Sequence, residues 1–294
     1  MVIDSHIHMY PASVFADPTA WGEAHREPWW TYCVAPPHQP TLQGWATVDD
    51  LIRDMDAAGV DRAVMLGWYW ENQATAELQN SWFIDWVNRH PDRLAGFAAV
   101  KPGDPGALEA TRRALDAGLR GLGEMLPQAQ SFTFKDESWS RLLALAREYA
   151  VPVNLHVTDP LAITPGSCVK ATPLEPYIEL VKDFPDNTFI FAHWGGGIPF
   201  YELNRRLGRL LRNVYYDTAA SPLLYDKSVY RSVCDMIGPE RILWGTDYPL
   251  FTHPSIEKVP TFRLDLADAL TSGLTPAELD LVLGGNASRL LRWP

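Results

Sequence analysis

Short apolar runs alternate with longer amphipathic stretches along the whole 294-residue chain. The first run, VIDSHIH (2–8), is followed after a long insertion by VDDLIRDMDAAGV, where Leu51, Ile52, Met55 and Ala58 recur at the spacing of one helix face. DRAVMLGW (61–68) then reads as a strand. The same alternation continues through LAGFAAV (94–100), LRGLGEM (119–125), VPVNLHV (151–157), TFIFAHWG (188–195), VYYDTAA (214–220) and RILWGTDYP (241–249). Helices are predicted between them, around SWFIDWVNRH, ALEATRRALDAG, SWSRLLALAREYA and PLEPYIELVKDF, with Gly or Pro where runs stop. Repeated βα units imply parallel strands, and eight of them in a chain of this length predict a single (β/α)₈ barrel domain over residues 1–294. A doubly wound open sheet would carry a Gly-rich phosphate loop after its first strand, where this chain has SHIHMYP.

One segment breaks the rhythm. Between the first strand and its helix lie about thirty-five residues dense in tryptophan and proline, too many for an ordinary βα loop. Long loops at the C-terminal ends of barrel strands cover active sites, so Trp21, Trp29, Trp30 and Trp45 are candidates to wall a pocket. The equal alternative is a contact between copies of the chain in a homo-oligomer, since exposed aromatics also serve interfaces.

Composition narrows the partners. The chain is 47% hydrophobic and 21% charged, enough to bury a large core, and its net charge of −11 with no basic run argues against nucleic acid. A small molecule is the expected partner. No apolar segment reaches the length of a membrane span and no leader pattern opens the chain. Cys33, Cys168 and Cys234 form no C-x-x-C pair, which suits free thiols in a reducing, cytoplasmic setting.

The chemistry gathers where the strands end. Alternation along an extended strand puts Asp4, His6 and His8 on one side, so both imidazoles can converge on one ion. Strand four closes on Glu124, strand five on His156, strand six on His193 and strand eight on Asp247. In a parallel barrel these residues share one rim. Singly each has an ordinary explanation: a strand histidine satisfied in the core, or Glu124 paired with Arg120. Together, four buried histidines and two carboxylates need a divalent cation to satisfy them. His25, His38, His90 and His253 fall in loops or beyond helix ends and read as surface or supporting groups.

The ordered set D-S-H-I-H, N-L-H, A-H-W-G-G-G-I-P-F and W-G-T-D-Y-P, closed by G-N-A-S-R-L-L, resembles the amidohydrolase superfamily. Within it the chain is similar to the amidohydrolase-related branch that includes aminocarboxymuconate-semialdehyde decarboxylase, other aromatic-acid decarboxylases, lactonases and hydratases. The resemblance implies that His6, His8, His156 and Asp247 are metal ligands, and that His193 faces the substrate as a further ligand or proton carrier. Many members of the superfamily place a carboxylated lysine or a glutamate at the end of strand four to bridge two metals. Glu124 in that role would create a binuclear centre with His156 and His193 on the second ion; otherwise it orients a ligand or pairs with an arginine.

Two reactions fit such a rim. Hydrolysis of an amide, ester or lactone of a small cyclic or aromatic compound is the favoured expectation: Zn²⁺ activates water, Asp247 carries its proton, and His193 helps stabilise the oxyanion. The alternative is decarboxylation (or hydration) of an aromatic or enoic acid, with His193 or Asp247 managing the proton. That chemistry calls for a cation near the substrate carboxylate, for which Lys101, Lys170, Arg205 and Arg206 are the candidates. Trp29, Trp30, Trp194 and Tyr248 are the expected substrate contacts. A barrel that only binds ligands is the weakest reading, because every rim position needed for a metal is filled.

Overall fold

The eight predicted apolar runs each contain a strand, all parallel to their neighbours. The computed structural model describes residues 1–37, 40–161 and 171–293, so His38, Cys168 and Lys170 lie outside the described residues. Strands β1 (Ile3–Ile7), β2 (Arg62–Met65) and β3 (Leu94–Gly96) are hydrogen-bonded in that order, as are β4 (Leu122–Met125), β5 (Val153–Leu155), β6 (Phe189–Phe191), β7 (Val214–Asp217) and β8 (Ile242–Leu243). Backbone bonds join the two groups. Ala98 N donates to Gly121 O and Gly123 N to Ala98 O, while Ser5 N donates to Trp244 O at 2.8 Å and Asp247 N to His6 O at 2.9 Å. Each strand therefore lies beside its sequence neighbour and the last runs beside the first, the connectivity of a (β/α)₈ barrel.

The strands are shorter than their apolar runs because the backbone turns away at the C-terminal rim. The sharpest case is β6, where His193 has φ 57° and Trp194, Gly195, Gly196 and Gly197 are all left-handed. Gly195 suits that path twice over: it tolerates positive φ, and a Cβ there would meet the Tyr216 ring at 2.8 Å. β1 carries a register irregularity between Asp4 and Ile7, within the segment that holds both first-strand histidines.

Helices Val48–Ala58, Gln73–Arg89, Ala107–Asp116, Glu137–Glu148 and Glu175–Asp183 fall where the 3.6-residue pattern predicts. The first starts at a Thr47–Asp50 capping box and stops at Gly59, φ 75°; its Leu51 and Met55 are buried against the strands. Ile3, Val64, Ala95, Ile190 and Leu243, from five strands, cluster with the C-terminal Leu291 and Trp293. Arg62 and Arg120 lie over the Trp293 ring at 4.8 and 5.6 Å. Among the described residues, no helix is long and apolar enough to cross a membrane.

The insertion after β1 is helical. Ala12–Phe15, Pro18–His25 and Pro28–Val34 pack their apolar residues with Tyr10, Trp68, Tyr69 and Trp70 into an aromatic cluster separate from the main core. Buried Glu27 ties it down, accepting hydrogen bonds from Glu71 N, Asn72 N and Asn72 Nδ2 just beyond β2.

Candidate metal centre

The rim brings all six predicted residues together. His6 and His8 come from β1 and its end, Glu124 from β4, His156 from just past β5, His193 from the left-handed turn after β6, and Asp247 from the segment after β8. All but Asp247 are buried, and Asp247, with its side chain 14% exposed, is the most open of the six. Asp247 also takes φ 71°, a conformation held by its N–H to His6 O.

The imidazoles are oriented from behind. His6 Nδ1 donates to Asp217 Oδ2 at 2.9 Å, His8 Nδ1 to Leu66 O at 3.2 Å, and His193 Nδ1 to Ala219 O at 3.0 Å. Carboxylates and carbonyls only accept, so each Nδ1 carries the proton and each Nε2 presents a lone pair inward. His156 is turned differently: Nδ1 meets Glu124 Oε1 at 2.9 Å and Nε2 meets Thr158 Oγ1 at 2.9 Å.

Inside, His6 Nε2 and His8 Nε2 are 3.2 Å apart. Asp247 Oδ1 lies 3.8 Å from the first and 3.5 Å from the second. Glu124 Oε2 is 3.8 and 3.4 Å from the same two nitrogens, and its Oε1 is 3.5 Å from His193 Nε2. Ligands about 2.0–2.2 Å from one tetrahedral ion stand about 3.3–3.6 Å from one another, so His6, His8 and Asp247 have the mutual separations of a single-ion donor set. The overlapping set His6, Glu124 and His193 also gathers ligand-type atoms closely. Two lone pairs facing each other at 3.2 Å are repulsive unless a cation or proton lies between them. The donor set therefore fits a divalent metal.

The electrostatics agree. Burial disfavours a charged His6, but Asp217, Glu124 and Asp247 outweigh it and lift the pKa to about 10. Burial is likewise overcome at His193 by Glu124 and Asp247, which raise it to about 9. Glu124, despite its burial, is held well below the usual carboxylate range by His156 and His6. Burial pushes His156 down. The pocket demands positive charge, from protons or from an ion that displaces them.

Several expectations change. Asp4 does not face the centre: its carboxylate accepts from Thr246 Oγ1 at 2.6 Å and from His6 N at 2.9 Å, fastening β1 to the segment after β8. Arg120 is not Glu124's partner, because it donates to the carbonyls of Leu291 and Arg292. Of the carboxylate-binding candidates, Lys101 Nζ donates to Gln130 O, and Arg205 and Arg206 stand exposed at the start of a helix.

The aromatic expectations divide. Trp30 is fully buried, its Nε1 donating to Tyr10 OH at 3.2 Å; Trp194 is fully buried with Nε1 on Ser221 Oγ at 2.8 Å. Tyr248 stacks on Phe262 at 4.4 Å and donates to Asp54 at 2.9 Å. All three are packed and hydrogen-bonded to neighbours within the protein. Trp29 stays half-buried with a sealed, unpartnered Nε1. The rings against the centre are Trp68, 5.6 Å from His8, and Tyr69, 5.5 Å from His156. Trp68 Nε1 is also buried without a partner.

Sequence reasoning missed Asp217. Fully buried at the end of β7, it accepts from His6 Nδ1, from His193 N at 2.9 Å and from Asn154 Nδ2 at 3.2 Å. The signal was the same rule that found the others: VYYDTAA closes on an acid just as RILWGTDYP does.

The family model described as amidohydrolase matches residues 3–293. The chain belongs to this family. As an amidohydrolase-superfamily enzyme it shares its fold with 5-carboxyvanillate decarboxylase LigW from Sphingomonas paucimobilis, at TM-score 0.77 and 18% identity over 99% of this chain and 98% of that one. The 2,6-dihydroxybenzoate decarboxylase from Rhizobium superposes at TM-score 0.70 and 17% identity, covering 99% and 98%. A third structural neighbour, 5-carboxyvanillate decarboxylase from Novosphingobium aromaticivorans, complexed with manganese and 4-hydroxy-3-methoxy-5-nitrobenzoic acid, gives TM-score 0.72 and 15% identity over 99% of this chain and 96% of that one. No curated protein sequence matches the chain.

Proposed function

We propose that this protein is a metal-dependent decarboxylase of a small aromatic or enoic carboxylic acid, holding one divalent cation on His6, His8 and Asp247. The observation that carries this reading is the sharing of His6. The groups His6–His8–Asp247 and His6–Glu124–His193 both draw on it, and with Nδ1 committed to Asp217 it has one lone pair to give. Two ions cannot use the same lone pair. His156, expected on a second ion with His193, has Nδ1 2.9 Å from Glu124 Oε1 and 3.1 Å from His193 Nε2, and Nε2 2.9 Å from Thr158 Oγ1, so a proton held between His156 and Glu124 takes the place a second ion would fill. Glu124 is then a counter-charge among the imidazoles rather than a bridge, and the preference for hydrolysis that rested on bridging loses its support. The decarboxylase names and the bound manganese of the structural neighbours support the same reading.

When bound, the cation would anchor substrate oxygens and offset negative charge during bond cleavage. Loss of carbon dioxide breaks the bond between the carboxyl group and its carbon, leaving an electron pair that takes up one proton. In its doubly protonated form, favoured by Glu124 and Asp247, His193 holds that proton at Nε2, with Ala219 O accepting from Nδ1 and fixing the opposite edge of the ring. Asp217 positions His6 and His193 together, one through each carboxylate oxygen. Trp68 offers an aromatic face and an unpartnered N–H beside His8.

The test is to load the purified protein with Mn²⁺ or Zn²⁺ and incubate it with hydroxybenzoates, enoic acids, lactones, esters and amides, following carbon dioxide and acid release in parallel. Carbon dioxide from a hydroxylated benzoate or enoic acid, reduced about 10²-fold or more in His193→Asn, is the expected result. Acid release from a lactone, ester or amide without carbon dioxide would establish hydrolysis instead.

A further inference from the structure

Six residues beyond Asp247, the segment leaving β8 packs a second group of donor side chains against helix Arg263–Leu270. His253, Glu257 and Asp265 bring ligand-type atoms within 4.8 Å of one another. Glu257 is 8% exposed and Asp265 4%. Glu257 Oε2 accepts from His253 N at 2.7 Å, but its Oε1 is sealed from solvent without any hydrogen-bond partner. Among the described residues, no lysine or arginine is bonded to either carboxylate. A buried, uncompensated pair of acids of this kind is costly.

The histidine is set up to complete a site. Its Nε2 lies 3.3 Å from Asp268 Oδ2, an acceptor, which places the ring proton there. Nδ1 then presents its lone pair, 3.9 Å from Asp265 Oδ2 and 3.1 Å from Thr252 Oγ1. The Thr252 hydroxyl has one proton, and at 2.8 Å from Asp265 Oδ2 it is spent there. With Asp265 ionised, Nδ1 is left without a donor beside that carboxylate; burial and Glu257 push Asp265 well above the usual carboxylate range, so this acid keeps a proton unless a counter-ion replaces it. A carboxylate behind an imidazole whose other nitrogen faces further carboxylates is the arrangement that orients histidine toward a metal.

We infer that His253, Glu257 and Asp265 form a second divalent-cation site, separate from the rim centre, which ties the segment carrying Asp247 to helix Arg263–Leu270. One imidazole nitrogen with two carboxylates suits Zn²⁺ or Mn²⁺, and the doubly charged ion balances the two acids. This inference stands independently of the decarboxylase reading.

The experiment strips the full chain with chelator, reloads it with Zn²⁺ alone and counts ions by elemental analysis. Wild type is expected to retain two ions per chain, Glu257→Gln and His253→Ala one each, and His6→Ala one. Glu257→Gln preserves shape, so loss of its ion with an unchanged circular-dichroism spectrum separates ligation from misfolding. Anomalous diffraction from wild-type crystals grown with Zn²⁺ places the second ion without any substitution, and density at His253 Nδ1 is expected. One ion per wild-type chain, two ions retained in Glu257→Gln, or a second ion located beside Glu124 would each overturn the inference.

Discussion

Two buried layers meet at the ends of β1 and β2, and they handle burial in opposite ways. In the aromatic cluster Trp30 Nε1 finds Tyr10 OH and Trp70 Nε1 finds Gln79 Oε1 at 2.6 Å, while Trp29 and Trp68 leave a neutral N–H unpaired. The neighbouring cluster of His6, His8, Glu124, His193 and Asp247 aims lone pairs and carboxylate oxygens at one another across 3.2–3.8 Å. The first layer is made of neutral side chains and calls for no ion. The second is complete only with added positive charge, so stability resides in one and ligand chemistry in the other. The border is marked by Trp68, which belongs to the aromatic cluster, abuts His8 and leaves its indole N–H unpaired.

This division can be broken from either side. The largest effect is expected for Trp30→Ala, which opens a large void in the aromatic layer and should cost about 3–5 kcal/mol of unfolding free energy. Denaturant melts measure it, while metal content of the folded fraction should stay at the wild-type level. A drop in metal content matching the loss of stability would show that the two layers are one cooperative unit.

Asp217→Asn comes next. It keeps the shape but removes the charge behind His6 and weakens the preference for the Nδ1–H tautomer. Rim metal affinity should fall about 10–100-fold, equivalent to about 1.4–2.7 kcal/mol, by competition with a chelating dye. Asp217 is ionised below its ordinary pKa because the His6 and His193 charges overcome its burial. Metal competes with protons at the inward Nε2 atoms, so rim affinity in wild type should rise with pH through the neutral range and level off only above about 10, the value to which His6 is lifted. Unchanged affinity and the same pH profile in the Asp217→Asn variant would remove Asp217 from the account.

The smallest effect is expected for Tyr248→Phe, which deletes the hydrogen bond to Asp54 and leaves the stack on Phe262. A loss of about 0.5–1.5 kcal/mol in a denaturant melt, with turnover unchanged, is the outcome for a packing residue. A change in KM without a change in stability would return Tyr248 to the substrate pocket.

These distinctions also mark what was legible in the sequence. All eight strands sit inside the apolar runs that predict them, and the rim rule collected His6, His8, Glu124, His156, His193 and Asp247 from segments far apart along the chain. The aromatic residues were harder, for a physical reason. A tryptophan beyond a strand end reads alike whether it faces a cavity or lies one layer beneath it. What places Trp30, Trp194 and Tyr248 is a partner set by tertiary packing: Tyr10, Ser221 and Asp54, the last 194 residues from Tyr248. Asp4 illustrates the same limit within β1, where a register irregularity and the Thr246 hydroxyl redirect a carboxylate that strict alternation would aim inward. Asp217 was within reach, since it closes β7 as the ligands close theirs, but its task is visible only once both of its histidines are placed.

The central claim is that the rim holds one ion and that Glu124 does not bridge a pair. It is tested most directly by saturating the His253→Ala chain with Mn²⁺ and recording its electron paramagnetic resonance spectrum. The account predicts the hyperfine pattern of an isolated ion, with one Mn²⁺ per chain, lost in the further variant His6→Ala. The spectrum of an exchange-coupled pair, reverting to that of an isolated ion in Glu124→Gln, would contradict it.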